Sequence, residues 1–166
     1  VNEPAVSPVD ADVDLHMSSE RGELLPSPVP VLAAISTGGM LGAAARYGLG
    51  LAWPHPPTGF PWATLVINVS GCLLIGVLMV IVAEVAPHQR LLRPFLGVGV
   101  LGGYTTFSTY IIDIRQAATT GRPGLGLLYI AVTLTAAMLA VWAGASLTGW
   151  LIGRRRSAQA RTGDTR

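Results

Sequence analysis

The residues able to do chemistry are concentrated in one stretch, GVGVLGGYTTFSTY, running from Gly97 to Tyr110. Gly102-Gly103 followed by Thr105-Thr106 is poor material for a continuous helix, because glycine frees the backbone and threonine hydroxyls cap the start of a new helix. In lipid such a break leaves amides and carbonyls in need of partners, so breaks of this kind line sites for ions or substrates. The plainer reading is a glycine-rich helix packed tightly on a neighbour, with its threonines bonded back to their own carbonyls. Two further polar residues stand out by position. Asn68 sits in TLVINVSG, and burying its amide in lipid costs several kcal/mol, roughly, unless it is bonded. Arg46, in GGMLGAAARY, either snorkels to an interface or lends positive potential to an anion vestibule. No Asp or Glu falls in the middle of an apolar run; Glu84 and Asp113 mark the ends of two of them. What remains is a set of hydrogen-bond donors: Asn68, Thr105, Thr106, Ser108, Thr109, Tyr110, Tyr129 and Thr133. Donors without acids favour an anion over a cation, and a proton-coupled cation exporter would need a buried carboxylate.

The elements that must carry these residues are membrane-spanning helices. Of 166 residues, 51% are hydrophobic and 12% charged, and lysine is absent. The apolar residues form blocks, and crossing the hydrocarbon core takes ~20 of them. Four runs qualify: Val31 to Trp53, Trp62 to Ala83, Pro94 to Ile112 and Leu125 to Ile152. The expected fold is therefore all-α, with four transmembrane helices and the third broken at mid-membrane. Short linkers make neighbouring helices antiparallel, and WPHPPTGFP (Trp53 to Pro61) is too proline-rich to be helical throughout. Gly38 with Gly42, and Gly99 with Gly103, form GxxxG steps that let helix backbones approach closely. Four short spans enclose little volume, so a transport path calls for a dimer.

The flanks differ in charge. Residues 1–29 hold Glu3, Asp10, Asp12, Asp14, Glu20 and Glu23 among prolines, a composition that cannot bury a core and predicts a disordered acidic tail. The transmembrane domain spans 30–153, and a basic tail, 154–166, opens on Arg154, Arg155 and Arg156. Arginines at span ends fit lipid head groups better than nucleic acid. No secretory h-region precedes the first apolar run, and Met17 is a candidate start. The single cysteine, Cys72, excludes an intrachain disulfide.

GGMLGAAARY in the first span, ATLVINVSGCLLIG in the second and GVLGGYTTFSTY in the third resemble, in order and spacing, the three motif regions of the Fluc/CrcB fluoride channels. The resemblance covers roughly residues 31 to 152. It implies an antiparallel dimer of four-helix subunits with two narrow pores, and one structural sodium ion held at the dimer centre by backbone carbonyls that map to Gly102 and Thr105. It maps a pore-facing asparagine onto Asn68 and two pore phenylalanines onto Phe107 and position 110, where this chain has Tyr110. The ring edge, which carries partial positive charge, is kept there and a hydroxyl is added. Ser108 and Thr109 match the third-helix part of a polar track. Tyr129 and Thr133, one turn apart, fit its fourth-helix part, although the next position on that stripe is Ala137. Arg46 matches the basic residue of the first helix.

The function that follows is passive export of cytoplasmic fluoride through a multi-pass protein of the cell membrane, with fluoride, lipid and a second subunit as partners and no enzymatic step. There is no P-loop and no dinucleotide fingerprint. The rivals are a small four-helix multidrug exporter, disfavoured by the missing carboxylate, and a scaffold that moves no ion. Orientation rests on arginines. With four spans, the side bearing the termini holds Arg21, Arg90, Arg93, Arg154, Arg155, Arg156, Arg161 and Arg166, whereas the other holds only Arg115 and Arg122. The loops alone are balanced, two against two, as a dual-topology homodimer needs. The cluster against the fourth span tips the count towards a fixed orientation, both termini cytoplasmic, with an oppositely oriented homologue as partner.

Overall fold

The computed structural model describes residues 29–56, 59–85 and 89–163, with side chains as far as 156. The acidic N-terminal tail lies outside the described residues. Long apolar runs without interior proline fold as α1 (Val29–Ala52) and α2 (Trp62–Glu84). A third run is wound in three pieces: α3 (Arg93–Leu101), which is π-helical, α4 (Gly102–Tyr104) and α5 (Ser108–Thr119). The fourth is a single helix, α6 (Pro123–Gly163). The described residues are all helix and connection, with no strand. Four helical segments are long and apolar enough to cross a membrane: Val29–Ala52, Trp62–Glu84, Arg93–Thr119 and Pro123–Arg156. This is a multi-pass membrane protein.

The helix α6 continues through the arginine cluster, so the basic C-terminal segment begins without a structural boundary. Arg156 Nη1 meets Glu84 Oε2 at 2.8 Å, and its Nη2 donates to the Glu84 carbonyl at 3.1 Å, tying the end of α2 to α6. The Arg154 guanidinium lies 4.5 Å from the centre of the Trp150 ring, a cation–π contact beside an interfacial indole. Between α5 and α6, Gly121 takes a left-handed φ of 78°. Its N–H donates to Ala118 O at 3.3 Å and that of Arg122 to Ala117 O at 2.9 Å, a Schellman ending that lets Pro123 start the next helix at once.

Two helix pairs form the body of the subunit. α1 packs on α3 and α4 through the two GxxxG steps, which face one another. A Cβ on Gly38 would strike the Phe95 carbonyl, one on Gly42 the Val100 carbonyl, and one on Gly103 the Gly39 carbonyl. α2 packs on α6 in the same way, with Gly76 against Val141 O and Gly144 against Leu73 O. Small residues at these positions let backbone meet backbone, which is how helices gain packing in a solvent as apolar as their own side chains. Most of the rest faces outward: Met138 is 74% exposed and Trp142 69%. Such a surface suits lipid or another subunit, not water. The enclosed core is small, built on Leu65, Tyr110 and Tyr129 with Phe60, Val69 and Ile114 around them.

Candidate functional site: the interrupted third span

Gly102 and Gly103 remain helical; the winding stops two residues later. Thr105 turns extended (φ −73°, ψ 159°), and α5 starts only at Ser108. Gly103 serves close packing on α1, and the interruption falls on the threonines. Asn68 of α2 stitches it. Its Nδ2 donates to Thr106 O and its Oδ1 accepts from Thr106 N–H, both at 2.9 Å. One side-chain amide thus satisfies both backbone groups of the central residue, which removes most of the cost of a break away from water. One N–H of Asn68 is left over.

The donors that a continuous helix would aim at two carbonyls are taken elsewhere. Thr106 N–H, the partner of Gly102 O in an unbroken helix, goes to Asn68. Thr109 N–H, the partner of Thr105 O, goes to Thr106 Oγ1 at 3.2 Å, which caps α5. Gly102 and Thr105 also line a cavity of about 210 Å³ with Gly71, Cys72, Gly97 and Leu101.

Arg46 reaches the same region from α1. Its Nε donates to Gly103 O at 3.1 Å, so it is anchored just before the interruption. With Tyr47, Thr64, Ile67, Thr106 and Thr109 it lines a second cavity of about 200 Å³. Thr109 and Thr106 hydroxyls bond at 3.1 Å, and Ser108 approaches Thr106 at 3.3 Å, so the hydroxyls of this segment form one connected group.

The two aromatic positions behave differently. Phe107 is 74% exposed, whereas Tyr110 is buried against Tyr129, with ring centres 5.1 Å apart. Phe107 and Tyr110 remain neighbours, 6.0 Å between ring centres. Tyr129 is the most buried side chain of the described residues and takes the edge of Phe60 at 5.4 Å. Thr133 is buried one turn further along α6. Tyr129 and Thr133 therefore sit behind Tyr110, on the inner side of the α5–α6 contact.

Sequence reasoning missed one member of this group. Asp113, which the sequence places at a span end, lies inside the third span and is buried. Its spacing from Tyr110 and Ala117 is the signal: all three are the buried face of α5. Thr64 and Tyr129 are its polar neighbours, and His55 Nε2 stands 3.8 Å from its Oδ1. Asp113 Oδ2, Tyr129 Oη and Thr133 Oγ1 are each buried without a hydrogen-bond partner. A carboxylate is thus enclosed in the third span after all, although it is paired with a histidine.

Comparison with known proteins places this arrangement. The family model described as CrcB-like protein, Camphor Resistance (CrcB), matches residues 33–145. The chain is 54% identical over 125 residues to fluoride-specific ion channel FluC 1 of Streptomyces coelicolor, covering 75% of this chain and 79% of that protein. It is 51% identical over 126 residues to FluC 2 of Nocardia farcinica (76% and 90%) and 52% identical over 125 residues to FluC 2 of Thermobifida fusca (75% and 93%). The matched stretch runs through α1 to α6 and includes the interrupted third span with Asn68, so this chain belongs to the CrcB-like family.

Proposed function

We propose that this protein is a fluoride-selective ion channel that lets cytoplasmic fluoride leave the cell passively. The observation that carries this reading is the interrupted third span, stitched by Asn68 and flanked by Arg46, Phe107 and a connected row of hydroxyls, in a chain 54% identical over 125 residues to a fluoride-specific ion channel. Fluoride is small and holds its water strongly, so a pore must replace that water with close donors. The remaining N–H of Asn68, the hydroxyls of Ser108, Thr109, Tyr129 and Thr133, and the ring edges of Phe107 and Tyr110 are such groups. Arg46 supplies positive potential near the entrance to the cavity it lines. No covalent step is needed, and the protein is not an enzyme.

The pore is completed by a second subunit in the opposite orientation. Phe107 and Gly102, both exposed in the subunit, are the surfaces such a partner would cover. A structural sodium ion fits at the same place. The Gly102 and Thr105 carbonyls are released from the helix ladder, and oxygen ligands suit a hard cation. The ion would fix the interface and stay there. The partner is either a second copy inserted the other way or an oppositely oriented homologue. A reporter fused to the C-terminus decides between them: signal on the cytoplasmic side alone supports a fixed orientation, and comparable signal on both sides overturns it.

Reconstitution into liposomes with a fluoride electrode tests the function. Rapid fluoride efflux that chloride does not share is the expected result, and no fluoride efflux from folded protein refutes the channel. Phe107→Ile keeps bulk but removes the ring edge, and being exposed in the subunit it should fold normally. Its efflux is expected to fall about tenfold or more, the effect of losing ~1.4 kcal/mol at one station. Efflux equal to that of the parent protein would remove Phe107 from the pore.

A further inference from the structure

The linker after α1 sends one side chain into the polar pocket behind Tyr110. His55 Nε2 faces Asp113 Oδ1 at 3.8 Å, and its Nδ1 lies 3.2 Å from the Pro56 carbonyl. Both neighbours are oxygen acceptors. A neutral imidazole has one N–H and one lone pair, so it would aim a lone pair at an oxygen; an imidazolium donates from both nitrogens. Only the protonated ring can present an N–H to both oxygens. The histidine side chain is 24% exposed and the aspartate 6%, so solvent reaches the histidine more readily than the carboxylate.

Behind this pair stand the unpartnered hydroxyls of Tyr129 and Thr133. Hydroxyls can turn to donate to an anion, yet a bare carboxylate beside them would compete for those donors and repel it. The titratable groups around Asp113 are His55 from the linker and Tyr129 from α6, while Tyr110, on its own helix, faces Tyr129. Among the described residues the second span contributes the Thr64 hydroxyl. Arg46 lines the neighbouring cavity with Thr64 and is bound to Gly103. Of these, His55 is the side chain whose class changes charge near neutral pH.

We propose that protonated His55 neutralises Asp113 and thereby opens the Tyr129–Thr133 donors to fluoride, so that the proton on one linker histidine sets how easily the anion passes. This rests on the channel reading above. With the proton on, imidazolium and carboxylate offset each other and the hydroxyls dominate the pocket. With it off, a net negative charge remains at the track. His55 acts through Asp113 and does not itself bind the ion, so it is a positioning residue.

The test uses the full chain in liposomes, with the same pH on both sides and leak through protein-free liposomes subtracted. Efflux of the parent protein at about pH 8 is expected to be roughly tenfold slower than at about pH 6, given the strength of charge repulsion at low effective dielectric. His55→Gln should be slow at both values, and adding Asp113→Asn to it should restore fast efflux at both. Asp113→Asn alone should be fast and indifferent to pH. Equal efflux of the parent at both values, or a double variant as slow as His55→Gln, overturns the proposal. Should His55→Gln fail to fold, a slow or pH-sensitive Asp113→Asn overturns it equally. A separate readout does not depend on flux: the ring signals of His55, assigned by their loss in His55→Gln, must titrate at lower pH in Asp113→Asn. An unchanged titration overturns the pairing. Absence of efflux from the parent at both pH values would instead refute the channel, leaving the titration to decide the pair.

Discussion

Replacing Asn68 by leucine is expected to abolish fluoride efflux, by about a hundredfold or more, and to destabilise the folded subunit. Leucine is branched at the same carbon but bonds to nothing. It leaves Thr106 N–H and Thr106 O without the two 2.9 Å bonds that hold the interruption open. Each buried group so orphaned costs ~1–3 kcal/mol. The chain has one local way to recover part of this. Thr106 N–H can return to Gly102 O, closing the helix and withdrawing the carbonyl assigned here to sodium. Asn68→Asp is the informative contrast. It keeps the acceptor for Thr106 N–H, loses the donor to Thr106 O, and sets a negative charge where an anion must pass. The leucine variant should lose both thermal stability and flux, whereas the aspartate variant should lose flux with a smaller fall in stability. Efflux from purified dimer, beside its melting temperature in detergent, measures both. A leucine variant with normal efflux would mean that the stitched break has no part in conduction.

A comparable loss is expected from a single methyl group in the first span. In Gly42→Ala the new Cβ would run into the Val100 carbonyl, with Tyr104 N at 2.7 Å and the Val100 carbonyl carbon at 2.9 Å. These are backbone atoms of α3 and α4 and cannot rotate aside, so the helices must separate. The cost should fall at the upper end of the ~1–3 kcal/mol typical of overpacking, and it displaces the segment that leads directly into Thr105. Gly48→Ala on the same helix is the control, since a Cβ there meets nothing within 4 Å. As alanine is the better helix former by ~1 kcal/mol, that variant should be neutral or slightly stabilised. The expected result is a clear drop in melting temperature and yield of dimer for Gly42→Ala alone. Equal melting temperatures would show that α1 and α3 are not packed as described.

What could be read from the chain in advance followed from rules that act locally. Lipid demands long apolar runs, so four spans were legible; the first two helices end within two residues of the expected limits, whereas the third and fourth continue past theirs, to Thr119 and Gly163. The spacing of Gly38, Gly42, Gly99 and Gly103 announced close helix approach, but not which helix met which. Periodicity cannot specify a partner. The glycine pair at 102–103 was the expected weak point of the third span, yet it stays helical, because the tight contact of Gly103 with α1 holds it there. The π winding of Arg93–Leu101 left no trace that single-residue propensities could register.

The division is clearest at the site. Residue types by themselves determined that this protein crosses a membrane, that its third span is unusual, and that donors outnumber acids in its interior; the motifs determined its kinship. Only the tertiary structure decided what those groups do to one another. It committed Asn68 to both backbone groups of Thr106, drew Arg46 onto Gly103, and separated an exposed Phe107 from a buried Tyr110 three residues on. It also brought His55 from a proline-rich linker to Asp113, two residues 58 positions apart in a chain where neither stood out. The physical reason is that transfer into lipid is additive along a helix and can be summed from sequence, whereas a hydrogen bond or an ion pair needs two groups within a few ångströms. That distance is fixed by how the helices pack.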